Sequence, residues 1–315
     1  MRRFAWSCHV PSNRTAATAR CVIAMTTVFV AACGSASTGA TGNSGRAESS
    51  SSPTPTSDPL AHCPAVSSFD SLTTVARMPA ADDLAAAPDG TLWISDASST
   101  IEHVGIDGTV LQQISDPRAP EGIVALSDGN LIVAEQRPDR IVRLDPGSQQ
   151  VTVLLQLTPR SGSEGVDGIG YDATRNAILV PDSPNGTLLE VSLADGKTTQ
   201  LASGLGRPAG AARRPDGSIA VASENKSGLW RVPAGGGTPQ ALGAATQGDD
   251  VDVVRGAAYV TSLDSKQVVA IDARTGRTVT LVDHLANPQG LAVLRDGRIA
   301  VADSTAGRVG ITSGC

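Results

Sequence analysis

The sequence predicts an all-β domain: a six-bladed β-propeller, its ring closed by an N-terminal strand that completes the last blade. Three observations predict it. One pattern of apolar strand, Asp-Gly turn and second strand returns six times, at a spacing of roughly forty residues. The last copy lacks a fourth strand, and an orphan strand precedes the first copy. A cysteine stands at each end of the repeating region, Cys63 and Cys315.

The repeat is plainest in Pro120–Glu135, PEGIVALSDGNLIVAE, and Pro288–Asp303, PQGLAVLRDGRIAVAD. The same pattern is read in Asp83–Asp96, in Gly168–Asp182 with one extra residue, in Gly210–Ser223, and in a degenerate copy, Asp249–Ser262. Within a copy, a short apolar strand meets its turn and a second strand rich in Val, Ile and Ala follows. A polar loop such as EQRPDR or SENKSG leads to a third strand, for example IVRLD, TLLEVSL or VVAIDA. A Gly- or Asp-bearing turn then opens a fourth, such as VTVLLQL. β-rich runs bounded by turn residues read as hairpins. Four strands at this period make a propeller blade. The final copy supplies strands near 290–294, 298–302 and 307–311 and then the chain stops. The orphan strand SLTTVARMP, Ser71–Pro79, is therefore expected to become the outer strand of the sixth blade, which removes the open edge. That pairing brings Cys63 beside Cys315.

The N-terminal region reads differently. Residues 1–32 hold Arg2, Arg3, Arg14 and Arg20 and no acidic residue, followed by the apolar run CVIAMTTVFVAA, Cys21–Ala32. This is the composition of an export signal, with an apolar run short for a bilayer span. It ends in VAAC, Val30–Cys33, which resembles the lipobox of bacterial lipoproteins. The resemblance implies cleavage before Cys33 and a lipid on that cysteine; an ordinary secretory signal or an uncleaved anchor are the alternatives. Residues 33–62 are read as a Ser/Thr/Gly/Pro-rich tether, too poor in apolar side chains to offset its ordering entropy, and 63–315 as the propeller. With Cys8 and Cys21 in the leader and Cys33 lipidated, Cys63 and Cys315 remain. In an oxidising compartment two such thiols are expected to pair; the alternative is two free thiols, and no zinc pattern is present.

The copies resemble NHL-type and SMP-30/gluconolactonase-type six-bladed propellers. The carrying stretch is PQGLAVLRDGRIAVADSTAGRV: Pro-x-Gly, apolar strand, Asp-Gly, strand, Ala-Asp, then an Arg opening the third strand, Arg308 here and Arg140 in the second copy. The resemblance spans 63–315 and is specific for fold rather than activity. It places the residue before each copy at one rim of the central channel: Asp82, Glu121, Asp167, Ala209, Gly248 and Gln289. Asp83, Glu164, Asp249 and Asp250 lie nearby, so the mouth is acidic. SMP-30-like lactonases hold a divalent metal there through a Glu, an Asn and an Asp. Glu121 in PEG and Asp167 in VDG match the Glu and Asp; Gln289 and Ala209 stand where the Asn would be, and the order around the ring departs from that family. The candidate metal ligands are thus Glu121, Asp167, Asp250 and Gln289, and the candidate rim residues Asp82, Asp83, Glu164 and Asp249. Oxygen ligands suit Ca²⁺ or another hard divalent cation; the alternative is a solvated acidic rim with no cofactor. Asp96, Glu135, Asp182 and Asp303 end second strands and are expected to hold the following loops.

Other chemistries find no pattern. There is no G-x-S-x-G elbow, P-loop or GxGxxG, and His62, His103 and His284 form no triad-like group. The chain carries −6; the four leader arginines leave −10 on the remainder, which disfavours nucleic acid. Arg213 and Arg214 flank a strand turn and are expected to be solvated. The functional expectation is an exported, monomeric propeller, anchored through lipid on Cys33 to the outer face of the cell membrane, presenting its acidic rim to a small molecule or an envelope protein. The alternative is a divalent-metal-dependent hydrolase of lactones or related esters. No catalytic residue is assigned, and whether the chain is an enzyme stays open.

Overall fold

A computed structural model describes residues 58–315 except 117, 226–227 and 243–246. The leader, Cys33 and most of the tether lie outside the described residues. Within them, six sheets stand as six blades, each with four antiparallel strands; five run in chain order from an innermost to an outer strand, and the sixth takes its outer strand from the N-terminal segment. The innermost strands are Ala81–Ala86, Pro120–Ala125, Gly170–Asp172, Pro208–Arg213, Gly248–Val254 and Pro288–Val293. A single 3₁₀ turn, Phe69–Ser71, is the only helical segment among the described residues.

The second strands explain why the repeats are so apolar. Every residue of Leu131–Glu135 and Ile219–Ser223 is buried, because each central strand is packed on both faces by a neighbouring blade. Alternation is therefore lost and continuous Val/Ile/Ala runs remain. Six apolar clusters fill the six seams. Ile132 and Ala134 of blade 2 meet Ile178 and Val180 of blade 3, and Leu92 and Ile94 of blade 1 meet Ala300 and Val309 of blade 6. Each fully buried Leu, Ile or Val contributes about 1.5–3 kcal/mol over exposure.

The ring closes as the missing strand requires. Thr73–Ala76 pairs antiparallel with Arg308–Ser313, Thr73 opposite Ile311, and supplies the outer strand of blade 6. The paired segment is shorter than the stretch Ser71–Pro79, because Met78 and Pro79 already turn into blade 1. An addition absent from the sequence reading is Ser67–Ser68, which lies parallel to the outer strand Thr278–Asp283 of blade 5. Arg308 ties the closure: its Nη2 donates to the Phe69 carbonyl at 2.7 Å and its guanidinium lies 4.1 Å from the Phe69 ring centroid. Cys63 and Cys315 form a disulfide, S–S 2.09 Å, across a separation of 252 residues.

The second-strand acids hold loops, in different ways. Asp96 accepts from the N–H groups of Ala80 and Ser98, and Asp303 from those of Ala286, Asn287 and Ala306. Asp182 takes the Asn185 side-chain amide instead, and Glu135 pairs with Arg140. The expectation of solvated arginines at 213 and 214 is corrected. Arg213 is enclosed between Asp172 and Glu190, at 2.6 and 2.7 Å, and Arg214 is buried, its Nη1 donating to Ser218 Oγ at 2.9 Å. The turn that follows, Pro215–Asp216, is exposed, but the two side chains turn away from it: Arg213 reaches the blade 3 acids, and Arg214 Nη2 donates to the Ala273 carbonyl of blade 5 at 2.5 Å.

Candidate functional site

A bulge shapes the mouth. In five blades the register of the innermost strand shifts after its first residue: Ala81/Leu84, Pro120/Ile123, Pro208/Ala211, Gly248/Val251 and Pro288/Leu291. Each bulge holds two residues and re-aims them. The first of each pair forms the mouth: Asp82, Glu121, Ala209, Asp249 and Gln289, with Asp167 in the matching place of blade 3. In blade 5 the slot is therefore Asp249, not Gly248. That copy is one residue shorter, since its hairpin turns in two residues, Arg255 and Gly256, both at positive φ (51° and 87°).

The second residue of each pair abuts the next blade. A Cβ on Gly290 would lie 2.5 Å from Asp83 Cα, and one on Gly122 would lie 2.6 Å from the Ile169 nitrogen, so glycine is required at both. Asp83 and Asp250 occupy this slot in blades 1 and 5 and act as latches. Asp83 Oδ2 accepts the Ile123 N–H of blade 2 at 2.9 Å, and Asp250 Oδ2 accepts the Leu291 N–H of blade 6 at 2.9 Å. Their other oxygens accept the N–H of Leu84 and Val251, both at 2.7 Å. Both line a central channel of about 260 Å³ below the mouth.

Two overlapping acidic groups form the mouth itself. One oxygen each from Asp82, Glu121 and Asp167 lie within 4.8 Å of one another, and so do oxygens of Asp167, Glu224 and Asp249. Of the residues singled out in the sequence, Glu121, Asp167, Asp82 and Asp249 are thus brought together. Asp250 is engaged with backbone N–H groups, Gln289 holds the half-buried blade 6 slot, and Glu164 is exposed, 3.6 Å from Arg207. Two members were not singled out. Glu224 follows the second strand of blade 4, and Arg207 precedes that blade's innermost strand. Arg207 Nη2 donates to Asp167 at 2.7 Å and its Nε donates to Glu224.

The electrostatics follow from crowding. Burial, then the charges of Asp82, Asp167 and Asp249, push the Glu121 carboxyl up to about 12. Burial, then Asp167, raises Asp82 and Asp249 well above the usual carboxylate range. Glu121 lies in hydrogen-bonding contact with Asp167, and Asp249 with Glu224, and two carboxyl groups share such a bond only when one of them carries the proton. Asp249 Oδ1 is buried and finds no hydrogen-bond donor among the described residues. A buried oxygen without a partner is costly, and an all-oxygen donor set suits a hard divalent cation. Asp82, Glu121 and Asp167 fit such an ion; in the second group Arg207 already bonds both Asp167 and Glu224.

Residues 285–311, the seam into the sixth copy and most of that copy, match the NHL repeat. No curated protein matches the chain in sequence. Among solved structures the fold superposes on a gluconolactonase from Xanthomonas campestris with a TM-score of 0.63, covering 76% of this chain and 87% of that one at 16% identity. It also superposes on a catalytically inactive virginiamycin B lyase from Staphylococcus aureus with quinupristin, TM-score 0.57, 73% and 79% covered, 16% identity. A third match is a chain of a nidogen/laminin complex, TM-score 0.58, 71% and 85% covered, 18% identity. At these identities the likeness is one of fold: the chain is a six-bladed propeller.

Proposed function

We propose that this domain is a binding module whose mouth holds a hard divalent cation, Ca²⁺ above others, through Asp82, Glu121 and Asp167, and presents it to a ligand. The observation that carries the reading is the convergence of those three oxygens beside the partnerless oxygen of Asp249. A cation there would supply an electropositive anchor for a carbonyl or carboxylate oxygen. Arg207 adds a second donor at the same edge. Calcium titration by calorimetry tests it: a saturable site is expected in the wild type, and in Glu121→Ala and Asp82→Ala its affinity should fall at least tenfold, about 1.4 kcal/mol. Unchanged binding in both variants would defeat the proposal.

A second reading is a metal-dependent lactonase-type hydrolase, favoured by the fold likeness to a gluconolactonase. No histidine of the described residues joins the mouth: His103 stacks on Trp93 and His284 contacts Asp283. A general base would have to be one of the carboxylates. Calcium-dependent turnover on a panel of lactones separates this reading from the first.

The domain is further proposed to sit outside the cytoplasmic membrane on a lipid at Cys33. The leader composition and VAAC motif support that, and the Cys63–Cys315 disulfide is consistent with an oxidising compartment. Metabolic labelling with a palmitate analogue should mark the protein, and Cys33→Ser should abolish the label; label surviving in the variant would rule this out.

A further inference from the structure

On the face opposite the mouth, a groove of about 710 Å³ opens between blades 4 and 5. Topology puts it there. The innermost strand of blade 4 starts next to Arg207 in the mouth and ends at Arg213, and six strand residues carry the chain roughly 20 Å. The groove begins at the following residue, Arg214, and is completed by the turns of blade 5.

Its charge runs against that of the chain. Arg214, Arg231, Arg255 and Arg274 line it, opposed among the described residues by Asp216 and Asp272 alone. Both carboxylates already serve their own turns. Asp216 accepts the Ser218 N–H at 3.0 Å, and Asp272 accepts the Arg274 N–H at 2.9 Å and the Thr275 hydroxyl at 2.8 Å. Their contacts with the guanidinium groups are long, 3.4–3.5 Å. Among the described residues no carboxylate lies within ion-pair distance of Arg255. Arg214 is buried, its Nε has no acceptor among the described residues, and burial pulls its pKa below the ordinary value, with Asp216 opposing the shift and Arg231 adding to it. The remaining wall is apolar: Pro59, Pro215, Leu242 and Ala273. Pro59 is held there because its neighbour Asp58 accepts from Arg277 at 2.7 Å.

We propose that this groove is a second binding site, for a small amphipathic anion. Its oxyanion head, a phosphate or carboxylate, meets Arg231, Arg255 and Arg274, and its apolar body lies on Pro59, Pro215 and Leu242. Planar guanidinium groups match such heads with paired hydrogen bonds, and the volume falls within the range of small-ligand sites. The site is independent of the acidic mouth.

The test titrates the full chain with octyl phosphate, below its micelle concentration, by calorimetry. One saturable site is expected, competed by inorganic phosphate. Octyl glucoside, which has the tail without the charge, should not bind. In Arg255→Gln/Arg274→Gln the affinity for octyl phosphate should fall about tenfold; both side chains are exposed, so the fold is retained. Absence of saturable binding, equal affinity in the double variant, or binding of octyl glucoside as tight as that of octyl phosphate would each overturn the proposal.

Discussion

Replacing the terminal bridge, in Cys63→Ser/Cys315→Ser, is expected to lower the unfolding free energy by about 5 kcal/mol. The size follows from the loop it closes. A separation of 252 residues encompasses almost the whole propeller, and chain-entropy stabilisation grows with the logarithm of that length. For a domain of this size the melting temperature should drop by roughly 10–20 °C. The structure also says where the loss is felt. The outer strand of blade 6 is four residues long and pairs with Arg308–Ser313. Phe69, Leu72 and the Arg308 contacts hold it, but the bridge is the covalent tie at that seam. Hydrogen exchange should therefore accelerate first at Thr73–Ala76 and Arg308–Ser313 in the variant, with the second strands of blades 2–4 protected longest. A melting temperature indifferent to the substitution would mean that the seam's non-covalent contacts suffice.

The ring was legible because its information is local and repeated. Each hairpin carries its own turn chemistry, so a count of hairpins is a count of blades, and the strand absent from the last copy could be matched to the one left over at the front. The mouth was legible only as far as the copies stayed in register. Asp82, Glu121 and Asp167 fall in the slot by simple alignment. Asp249 slipped by one because the two-residue turn of blade 5 shortens that copy, and the register is set by a bulge that no local pattern marks. Glu224 was missed for another reason. In blades 1, 2, 3 and 6 the second strand ends on an acid that holds a loop; in blade 4 that place is Ser223, whose hydroxyl donates to the carbonyls of Leu205 and Arg207, and the acid moves one residue on, to the mouth. Arg207 lies two residues ahead of the slot, outside the repeat as written. The signal available was the loop itself, since the loops after second strands share the mouth's rim. The fates of Asp83 and Asp250 were not readable at all: whether a rim carboxylate faces a ligand or a backbone N–H depends on how closely the next blade approaches.

In the presence of chelator the protein is expected to lose stability as pH rises from about 5 to 8, the reverse of a protein held by ionised salt bridges. The sign comes from linkage. Unfolded carboxylates release their protons near pH 4. In the fold, Glu121 is pushed up to about 12 and Asp250 to about 7, and Asp82 and Asp249 are raised as well, burial being the first cause in each. Between the unfolded and folded values the native state holds more protons, so raising the pH favours unfolding. The cost is about 1.4 kcal/mol per pH unit for each extra proton held. The share of Asp250 is used up near pH 7, whereas that of Glu121 persists across the window. Calcium should reverse the trend, because a cation at the mouth replaces the protons that crowding demands. The gain in melting temperature on adding calcium should be larger at pH 8 than at pH 5, and at a concentration a hundredfold above the dissociation constant it corresponds to about 2.7 kcal/mol. Glu121→Gln should lessen the pH slope by about one proton's share, about 1.4 kcal/mol per pH unit, and remove the calcium gain together. Asp250→Asn should weaken the blade 5–6 latch yet keep the calcium gain, since the Asp250 carboxylate is committed to the Leu291 and Val251 N–H groups. A melting temperature flat from pH 5 to 8 in chelator would mean that the mouth carboxylates titrate in the fold as they do in the unfolded chain, and the case for a cation at the mouth would lose its electrostatic basis.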